Sequence, residues 1–357
     1  MTQPLKHADL RPAHAPGLEG IVVAETVLSR IDGQKGELIL RGKQIEDLAG
    51  KMSFEDAVCH LWQGTVPLPD DISLAAALGK ARQAAFKTVP AMQSAPPSLS
   101  SFERMRVGLS CLGSSGTGEA DAVAVSGAMP VLLAASHRIG IGLEPVAPDP
   151  ALGTVQDLLR MLNGTPAPDF AVAALDRYLV TILDHGLNAS TFTARVIAST
   201  QADLGDAIIG AMGALKGPLH GGAPGPVLDM LDGVGTPENA EDWVAAELRS
   251  GARLMGFGHR VYRTRDPRAD VLKAGLSALP QDNPKLVLAE AVETAALAAL
   301  AKVKPDRPLD TNVEFYTAVL LDAIGIDRTL FTPLFCVGRT PGWCAHILEQ
   351  QSKGKLI

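Results

Sequence analysis

The chain is poor in aromatic residues and has no excess of positive charge. Aromatic side chains make up 4% of its 357 residues, whereas hydrophobic residues of all kinds make up 46%. Alanine and aliphatic side chains must therefore fill the core, which is typical of closely packed helices. The net charge of -7 argues against nucleic acid as a partner, because proteins that bind the phosphate backbone usually display a basic face.

Cysteines are few and show no metal-binding pattern. They stand at Cys59, Cys111, Cys336 and Cys344, with no C-x-x-C pair and no histidine nearby at metal-ligand spacing. This scatter indicates reduced core thiols of a cytoplasmic protein and no metal site. The sequence also lacks H-E-x-x-H, a P-loop, and a strand followed by G-x-G-x-x-G, which are the motifs of common metal and nucleotide sites.

No apolar run is long enough to span a bilayer. The longest, Ala122 to Ser136, is interrupted by Ser126, Gly127 and Pro130, and we expect a buried helix there. The opening residues MTQPLKHADL lack the apolar segment of a signal peptide, so we expect neither export nor membrane association.

Strand patterns are confined to the start of the chain. Residues 20–42 place short β-branched runs around a glycine-bounded turn, which predicts a small hairpin or sheet. Helical spacing follows, for example over 54–62 after the N-cap candidate Ser53, and over 313–324. The Ser- and Gly-rich segment 98–119 is instead predicted to be a surface loop. The sequence therefore predicts an all-α fold with a small N-terminal β hairpin.

His220 lies in LKGPLHGGAPGP (215–226), just before a segment that begins like a helix with proline in its first turn. The positive potential at a helix N-terminus lowers the pKa of an imidazole, so the neutral ring can donate a hydrogen bond to a substrate carbonyl. The alternative is a loop histidine that bonds a backbone carbonyl, and the motif alone does not decide between them.

His259 lies in MGFGHRVYRTRDPRA (255–269), and arginines at 260, 263, 265 and 268 follow it. Arginine is suited to bidentate recognition of carboxylates and phosphates, so this density suggests an anionic substrate. A solvated basic loop is the alternative. The Asp266-Pro267-Arg268 turn favours a positioned role for Arg268.

Glu314 has a structural interpretation, because Thr311-x-x-Glu314 before a helical pattern is a capping box. Arg339 precedes a Thr-Pro-Gly break, and helix amides beyond such a break could hold an anion. His346 is interpreted as a hydrogen-bonded core histidine. Near Asp184, Gly186 is a candidate helix end, and Asn188 or Ser190 is a candidate cap for the next helix.

Together these segments resemble the citrate synthase family, including its 2-methylcitrate synthase branch. The resemblance rests on His-Gly-Gly at 220–222, Gly-x-Gly-His-Arg-Val at 256–261 and Asp-Pro-Arg at 266–268, in this order, and it extends over almost the whole chain. It implies a mostly helical homodimer. It further implies a large domain (1–219 and 320–357) and a small domain (220–319) that close over oxaloacetate before an acyl-CoA thioester binds.

The resemblance also implies roles for individual residues. His220 would bond the thioester oxygen, Glu314 would remove a proton from the acyl methyl group, and His259 would polarise the ketone of oxaloacetate. Oxaloacetate or citrate would be bound by His185, Asn188, Arg268 and Arg339. Coenzyme A would contact Arg263, Leu254, Gly256, Phe257 and Gly258. No further cofactor is implied, since the coenzyme A thioester is a substrate.

Three positions depart from the family pattern. Glu314 stands where the family usually has aspartate; the extra methylene moves the base by roughly 1 Å, which can cost about a hundredfold in rate. Ile182 replaces a usual histidine, and we expect altered support for the site. After a segment like GKLI the family continues with Arg-Pro, whose arginine crosses to the partner's site, whereas this sequence stops at Ile357.

Three functions remain open from the sequence. The leading hypothesis is a synthase that makes citrate from acetyl-CoA, and its neighbour makes 2-methylcitrate from propionyl-CoA. One methylene is worth only about 1 to 3 kcal/mol of discrimination, so the sequence does not choose between them. A hypothesis of another class is a citrate- or CoA-binding paralogue with little catalysis, motivated by Glu314 and the missing arginine.

Overall fold

The computed structural model describes residues 21–68, 72–218, 220–221, 224–259, 261–277, 279, 283–305, 309–353 and 355–357. The predictions made for the first 20 residues, and the motif residues Gly222 and Arg260, lie outside these ranges. The described chain is mostly helical with a small sheet near its start, so the predicted fold class is confirmed.

The strands are β1 (Ser29–Asp32), β2 (Glu37–Leu40) and β3 (Lys43–Gln44). They form an antiparallel sheet in the order β1-β2-β3. Ser29 pairs with Leu40, and Ile39 pairs with Gln44. The third strand makes this a sheet, one of the two forms that the sequence pattern predicted.

The helices in the described ranges are α1 (Ile45–Leu48), α2 (Phe54–Trp62), α3 (Leu74–Ala85), α4 (Val89–Gln93), α5 (Ser101–Ser110), α6 (Gly118–Gly140), α7 (Thr154–Asn163), α8 (Asp169–Thr181), α9 (Ala189–Ser199), α10 (Leu204–Leu215), α11 (Pro224–Val234), α12 (Ala240–Ser250), α13 (Pro267–Leu276), α14 (Pro284–Val303), α15 (Val313–Ala323) and α16 (Phe331–Lys353). Short 3-10 turns lie at Phe86–Thr88, Pro237–Asn239 and Arg328–Leu330.

Helix caps decide where several of these helices begin. Ser53 caps α2 by accepting a hydrogen bond from the Asp56 amide, as predicted. The loop predicted over 98–119 is wrong, because α5 occupies much of it. Ser100 and Glu103 form a capping box there, and Phe102 lies on the buried face of the helix. Reciprocal capping and apolar burial outweigh the Ser- and Gly-rich composition.

The predicted buried helix at 122–136 is confirmed as the middle of α6, which includes Pro130. By length and composition this helix could cross a membrane, but 72% of its most apolar window is buried inside the protein. Of the cysteines, all free, Cys336 and Cys344 are buried and Cys59 is partly buried. Cys111 is exposed, so the core-thiol prediction is wrong for it; it follows the last turn of α5.

α16 corrects the prediction for Arg339. No helix begins after the Thr-Pro-Gly sequence; Pro341 lies inside α16, and Arg339 is in the middle of the same helix. The Trp62 indole donates to the Pro341 carbonyl at 2.9 Å, and the surrounding turns are buried. Close packing on these turns holds the helix together through a residue that lacks an amide hydrogen.

A buried ion pair between α3 and α7 provides a test of this packing. Arg82 and Asp157 are fully buried and 3.0 Å apart, and Arg160 also binds the same carboxylate. Asp157→Ala should lower the free energy of unfolding by about 3 to 5 kcal/mol, because it leaves a buried guanidinium without its charge partner. Asp47→Ala, which breaks an exposed pair with Lys51, should cost no more than about 0.5 kcal/mol. Urea unfolding measures both; equal losses would contradict the prediction.

Candidate active site

Two buried arginines lie at the centre of the site. Arg268 is 4% exposed and Arg339 is 1% exposed. Arg268, in the first turn of α13, binds the Asp266 carboxylate through Nε at 3.0 Å and through a terminal nitrogen at 2.9 Å. Arg339 donates from Nε to the Ile182 carbonyl at 2.5 Å, and its guanidinium lies 4.8 Å from the centre of the Phe335 ring. The backbone of Ile182 thus supports the site.

His259 is oriented by backbone amides. Its Nδ1 accepts hydrogen bonds from the Val261 and Tyr262 amides at 3.0 and 3.1 Å, so the proton of the neutral ring is on Nε2. Nε2 lies 3.3 Å from a terminal nitrogen of Arg268. Burial, followed by the charge of Arg268, lowers the pKa of His259 to about 4. Two donors therefore face each other, and an oxygen of a ligand between them would satisfy both.

His185 follows α8 in a turn next to these groups. Its Nε2 is 3.1 Å from the Tyr262 hydroxyl, and its ring lies edge-on to His259 with centres 5.8 Å apart. Burial lowers the pKa of His185 well below its usual value, and Arg268 and Arg339 add to the effect. The ring is therefore neutral at physiological pH and contributes hydrogen bonds without charge.

Asp184 fixes the turn that carries His185. Its carboxylate accepts from the Gly186 amide at 3.1 Å and from the Ser29 hydroxyl at 2.5 Å, and His346 Nε2 lies 3.1 Å away. Nδ1 of His346 is 2.8 Å from Arg195, so the prediction of a hydrogen-bonded core histidine is confirmed. This buried network ties β1, α9 and α16 to the turn.

His220 contacts the first turn of α9. Its Nε2 lies 3.3 Å from the Ser190 amide and 2.8 Å from the Ser190 hydroxyl. Because an amide only donates, Nε2 accepts and the proton of the neutral ring is on Nδ1. His220 therefore contacts the N-terminus of α9; α11, the helix that the sequence indicated, begins at Pro224. Burial, followed by the charge of Arg339, lowers the pKa of His220 to about 4, in the predicted direction.

Glu314 lies in the first turn of α15. The predicted capping box is wrong: Asn312 is the cap and accepts from the Glu314 amide at 3.0 Å, while the Thr311 hydroxyl donates to Glu293 at 2.6 Å. Thr311 finds a buried partner on α14, which moves the helix start by one residue. Burial raises the pKa of Glu314 to about 7, and Asp266 adds to the effect, although the nearby arginines oppose it. This carboxyl group can exchange a proton near neutral pH.

Asp266 and Tyr262 are site residues whose roles the sequence did not indicate. Besides binding Arg268, the Asp266 carboxylate accepts from the Val313 amide at 3.2 Å, at the start of α15. Tyr262 contacts both histidines, with ring centres 5.7 Å from His185 and 4.8 Å from His259. The Asp-Pro-Arg turn was a signal for Asp266, but no pattern pointed to Tyr262.

These contacts bring together the predicted catalytic residues. The charge of Arg268 acts on His185, His259 and Glu314, and that of Arg339 acts on His185, His220 and Glu314. Neutral imidazole donors, a carboxyl group with a raised pKa and two fixed cations can bind an anion and move a proton beside it. Within the described residues, no three His, Cys, Asp or Glu side chains form a metal cluster.

Comparison with known proteins gives the family. The model of the citrate synthase C-terminal domain matches residues 17–357. The chain belongs to the citrate synthase family. A 2-methylcitrate synthase of Mycobacterium tuberculosis is 35% identical over 367 residues, which cover 100% of this chain and 91% of the relative. A citrate synthase of Haloferax volcanii is 37% identical, covering 96% of this chain and 93% of the relative.

The fold agrees with a solved structure of the same family. The ternary complex of carboxymethyl coenzyme A and oxaloacetate with citrate synthase from Thermoplasma acidophilum has a TM-score of 0.83 and 26% identity, and covers 96% of this chain and 93% of that chain. The resemblance inferred from the motifs is confirmed, and the protein is an enzyme of the citrate synthase type. Enzymes of this family need no cofactor beyond the coenzyme A substrate.

The loop that is predicted to contact coenzyme A, Leu254 to Gly258, lies beside the start of α15. The Gly258 amide donates to the Asp310 carbonyl at 2.7 Å, and the Asn312 amide donates to the Gly256 carbonyl at 2.9 Å. Phe257 packs against Phe315 with ring centres 5.4 Å apart. Leu254, at the beginning of the loop, is buried. The loop therefore supports the helix that carries Glu314, and its contact with coenzyme A remains a prediction.

Two other predicted binding residues have different surroundings. Asn188 caps α9: its side-chain oxygen accepts from the Thr191 amide at 3.1 Å and from the Ser190 hydroxyl at 2.8 Å. The predicted cap is confirmed, and its substrate contact remains a prediction. The Arg263 side chain is exposed, and its amide donates to the Gly33 carbonyl at 2.8 Å, so the residue is anchored to the β1-β2 turn.

The raised pKa of Glu314 makes a prediction about stability. The folded state binds this proton more tightly than the unfolded state does, so the stabilisation is complete below the ordinary pKa of 4.5. It is lost as the pH rises through about 7. Glu314→Gln mimics the protonated form. Its stability relative to wild type should therefore rise between pH 5 and pH 8, by about 1 to 2 kcal/mol in urea unfolding.

Glu103→Gln is the matched control for that measurement. Lys216 and the Ser100 cap lower the pKa of the exposed Glu103 to about 2. Glu103 is therefore mostly ionised in both the folded and the unfolded protein between pH 5 and pH 8. The offset of this variant from wild type should stay constant from pH 5 to pH 8. A constant offset for Glu314→Gln as well would contradict the raised pKa of Glu314.

Proposed function

We propose that this enzyme condenses acetyl-CoA with oxaloacetate and water to give citrate and free coenzyme A. The observation that carries the proposal is the pair of buried arginines, whose charges act on His185, His220, His259 and Glu314. A small dianion such as oxaloacetate matches two fixed guanidinium groups.

His259 and Arg268 would bind the ketone of oxaloacetate. The ketone oxygen would accept hydrogen bonds from Nε2 of His259 and from the terminal nitrogen of Arg268. These two atoms lie 3.3 Å apart. Both groups donate, so both stabilise the charge that develops on this oxygen. Arg339 and His185 would bind carboxylate oxygens.

Glu314 and His220 would form the enol of the acyl-CoA. The Glu314 carboxylate takes a proton from the acyl methyl group, while His220 donates from Nδ1 to the thioester oxygen. A carboxylate is a weak base for a carbon acid, so the reaction needs this donor where enol charge develops. The raised pKa of Glu314 makes it a stronger base than an ordinary carboxylate.

Condensation and hydrolysis complete the reaction. The enol carbon attacks the ketone carbon, a carbon–carbon bond forms, and the ketone oxygen becomes an alkoxide that accepts hydrogen bonds from His259 and Arg268. The proton that Glu314 took from the acyl methyl group is available to neutralise this alkoxide, so the condensation neither gains nor loses a proton. Water then cleaves the citryl thioester and releases coenzyme A. Closure of the small domain (220–319) over the large domain would exclude bulk water and strengthen these donors.

Propionyl-CoA is the second candidate substrate. The relative from Mycobacterium tuberculosis that is 35% identical is a 2-methylcitrate synthase, whereas the 37% identical relative from Haloferax volcanii is a citrate synthase. The identities are too close to separate the two branches. The acyl group must therefore be determined by measurement.

The assay follows free thiol released from acetyl-CoA and from propionyl-CoA, with and without oxaloacetate. We expect release that depends on oxaloacetate, with acetyl-CoA preferred, and Glu314→Gln should abolish it. Unchanged turnover in this variant would remove Glu314 from the mechanism. Thermal stabilisation by ligands without thiol release would favour the binding paralogue. Release that ignores oxaloacetate would indicate a thioesterase.

Glu314→Asp is the companion variant. It restores the family's usual residue but withdraws the carboxylate by roughly 1 Å from the place that this backbone gives it, so turnover should fall about a hundredfold. Faster turnover than wild type would mean that the α15 backbone is set for aspartate.

We also propose that the enzyme is a cytoplasmic homodimer. The four free thiols are typical of a reducing compartment, and the family resemblance supports the dimer. Light scattering after size exclusion should give twice the chain mass of 37.3 kDa. A monomer mass at micromolar concentration would reject the dimer, and immunogold labelling of cell sections outside the cytoplasm would reject the location.

A further inference from the structure

Tyr178 on α8 has a buried hydroxyl that lacks a hydrogen-bond partner. The side chain is 0% exposed, and nothing in the described part of the chain bonds its hydroxyl. An unpartnered buried polar group loses its bonds to water without replacement, and native proteins keep few such groups. Phenylalanine would fill the same space without that cost, so the hydroxyl needs an explanation.

α8 is packed against the three helices that carry the charges of the site. It contacts α13, which carries Arg268, α15, which carries Glu314, and α16, which carries Arg339. Its last turn leads into Ile182, whose carbonyl holds Arg339 at 2.5 Å. Tyr178 lies one helical turn before Ile182, and its carbonyl accepts the Ile182 amide at 3.1 Å. The Ile182 side chain lies against Gly338 of α16, so the phenol, one turn earlier on the same face of α8, also faces the helix that carries Arg339.

Only one of the charged neighbours can accept a hydrogen bond from the phenol. The charges that act on Tyr178 are those of Glu314 and Arg339. Arginine has donors only, whereas an ionised carboxylate has acceptors only. In the described residues, nothing donates to the Glu314 side-chain oxygens either. A buried donor without an acceptor thus lies on a helix that packs against α15, which carries a carboxyl group without a donor.

We propose that the hydroxyl of Tyr178 donates a hydrogen bond to the ionised carboxylate of Glu314 and acts as a positioning residue for this base. The inference rests on the proposed function, which makes Glu314 the base. In the structure this hydrogen bond is absent and the phenol lacks a partner; ionisation makes the carboxylate a stronger acceptor and forms the bond. When Glu314 is ionised, its hydrogen bond to the phenol on α8 fixes the orientation of the glutamate side chain, which is longer than the family's usual aspartate.

The hydrogen bond favours the charged form of Glu314. Arg268 on α13 and Arg339 on α16 favour that form too, whereas burial and Asp266, which caps α13, oppose it. Tyr178 adds a contribution from α8 and remains protonated, because burial raises the pKa of its phenol well above 10. It can therefore support the base without competing with it for the substrate proton.

The decisive variant is Tyr178→Phe, measured as the pH profile of kcat/KM for the acyl-CoA. A hydrogen bond to a charged group lowers the pKa of a carboxyl group by about one unit or more. Its loss in Tyr178→Phe should therefore raise the pKa of Glu314, and with it the acid-side midpoint of the profile, by about one unit. Turnover should fall about tenfold at pH 6 and return toward wild type above the midpoint. The melting temperature should not fall, since the hydroxyl has no partner in the resting state. An unmoved midpoint, or an equal loss at every pH, would overturn the proposal.

Tyr316→Phe is the matched control. Tyr316 is on the same helix as Glu314, but its hydroxyl donates to Glu293. Tyr316→Phe should lower the melting temperature but leave the midpoint of the kcat/KM pH profile unchanged. Equal midpoint shifts in the two variants would mean a general loosening of α15 and would also overturn the proposal.

A second measurement needs no turnover. The chain has three tyrosines, so labelling the ring carbon that bears the hydroxyl gives three NMR signals. The Tyr178 signal should titrate with Glu314 and stop titrating in Glu314→Gln. A Tyr178 signal that does not titrate in the wild-type protein would reject the hydrogen bond, even if Glu314→Gln is inactive. Unchanged turnover in Glu314→Gln, with the titration present in wild type, would instead reject Glu314 as the base.

Discussion

The burial of two positive charges is the constraint on which the site depends. Arg268 and Arg339 are almost inaccessible to water, and buried guanidinium groups are costly unless they are well bonded. One is held by a carboxylate, and the other by a backbone carbonyl and an aromatic face. Fixed in this way, both remain available to an anion, and both suppress protonation of the neighbouring imidazoles.

The same burial explains why chemically similar groups behave differently here. Loss of solvent lowers the pKa of His220 and His259 and raises that of Glu314, since in each case the charged form is disfavoured. Near neutral pH the histidines are donors without charge and the carboxyl group is close to its midpoint. One physical cause therefore gives both neutral hydrogen-bond donors and a carboxyl group that can exchange a proton near neutral pH.

The sequence predicted what depends on short stretches of chain. The start of α2 after Ser53, the start of α9 after Asn188 and the apolar run of α6 are local patterns, and the structure confirms them. The family motifs marked the residues around His220 and His259. Local signals also misled: Thr311 suggested a capping box but bonds Glu293 on a different helix. The proline after Arg339 suggested a helix start where packing keeps the helix continuous.

Contacts between distant segments could not be predicted. His220 accepts from Ser190, 30 positions away, and Tyr262 reaches His185 across 77 positions. Such pairs depend on how the helices pack, and no spacing rule within one segment reveals them. Tyr178 belongs to the same class, because its place in the site comes entirely from the helices around α8.

Asp266 links the positions of two parts of the site. A single carboxylate bonds the guanidinium of Arg268 and the first amide of α15. Arg268 and the helix that carries Glu314 are therefore positioned by the same side chain. A displacement of this buried carboxylate would therefore move the guanidinium and the start of the helix together.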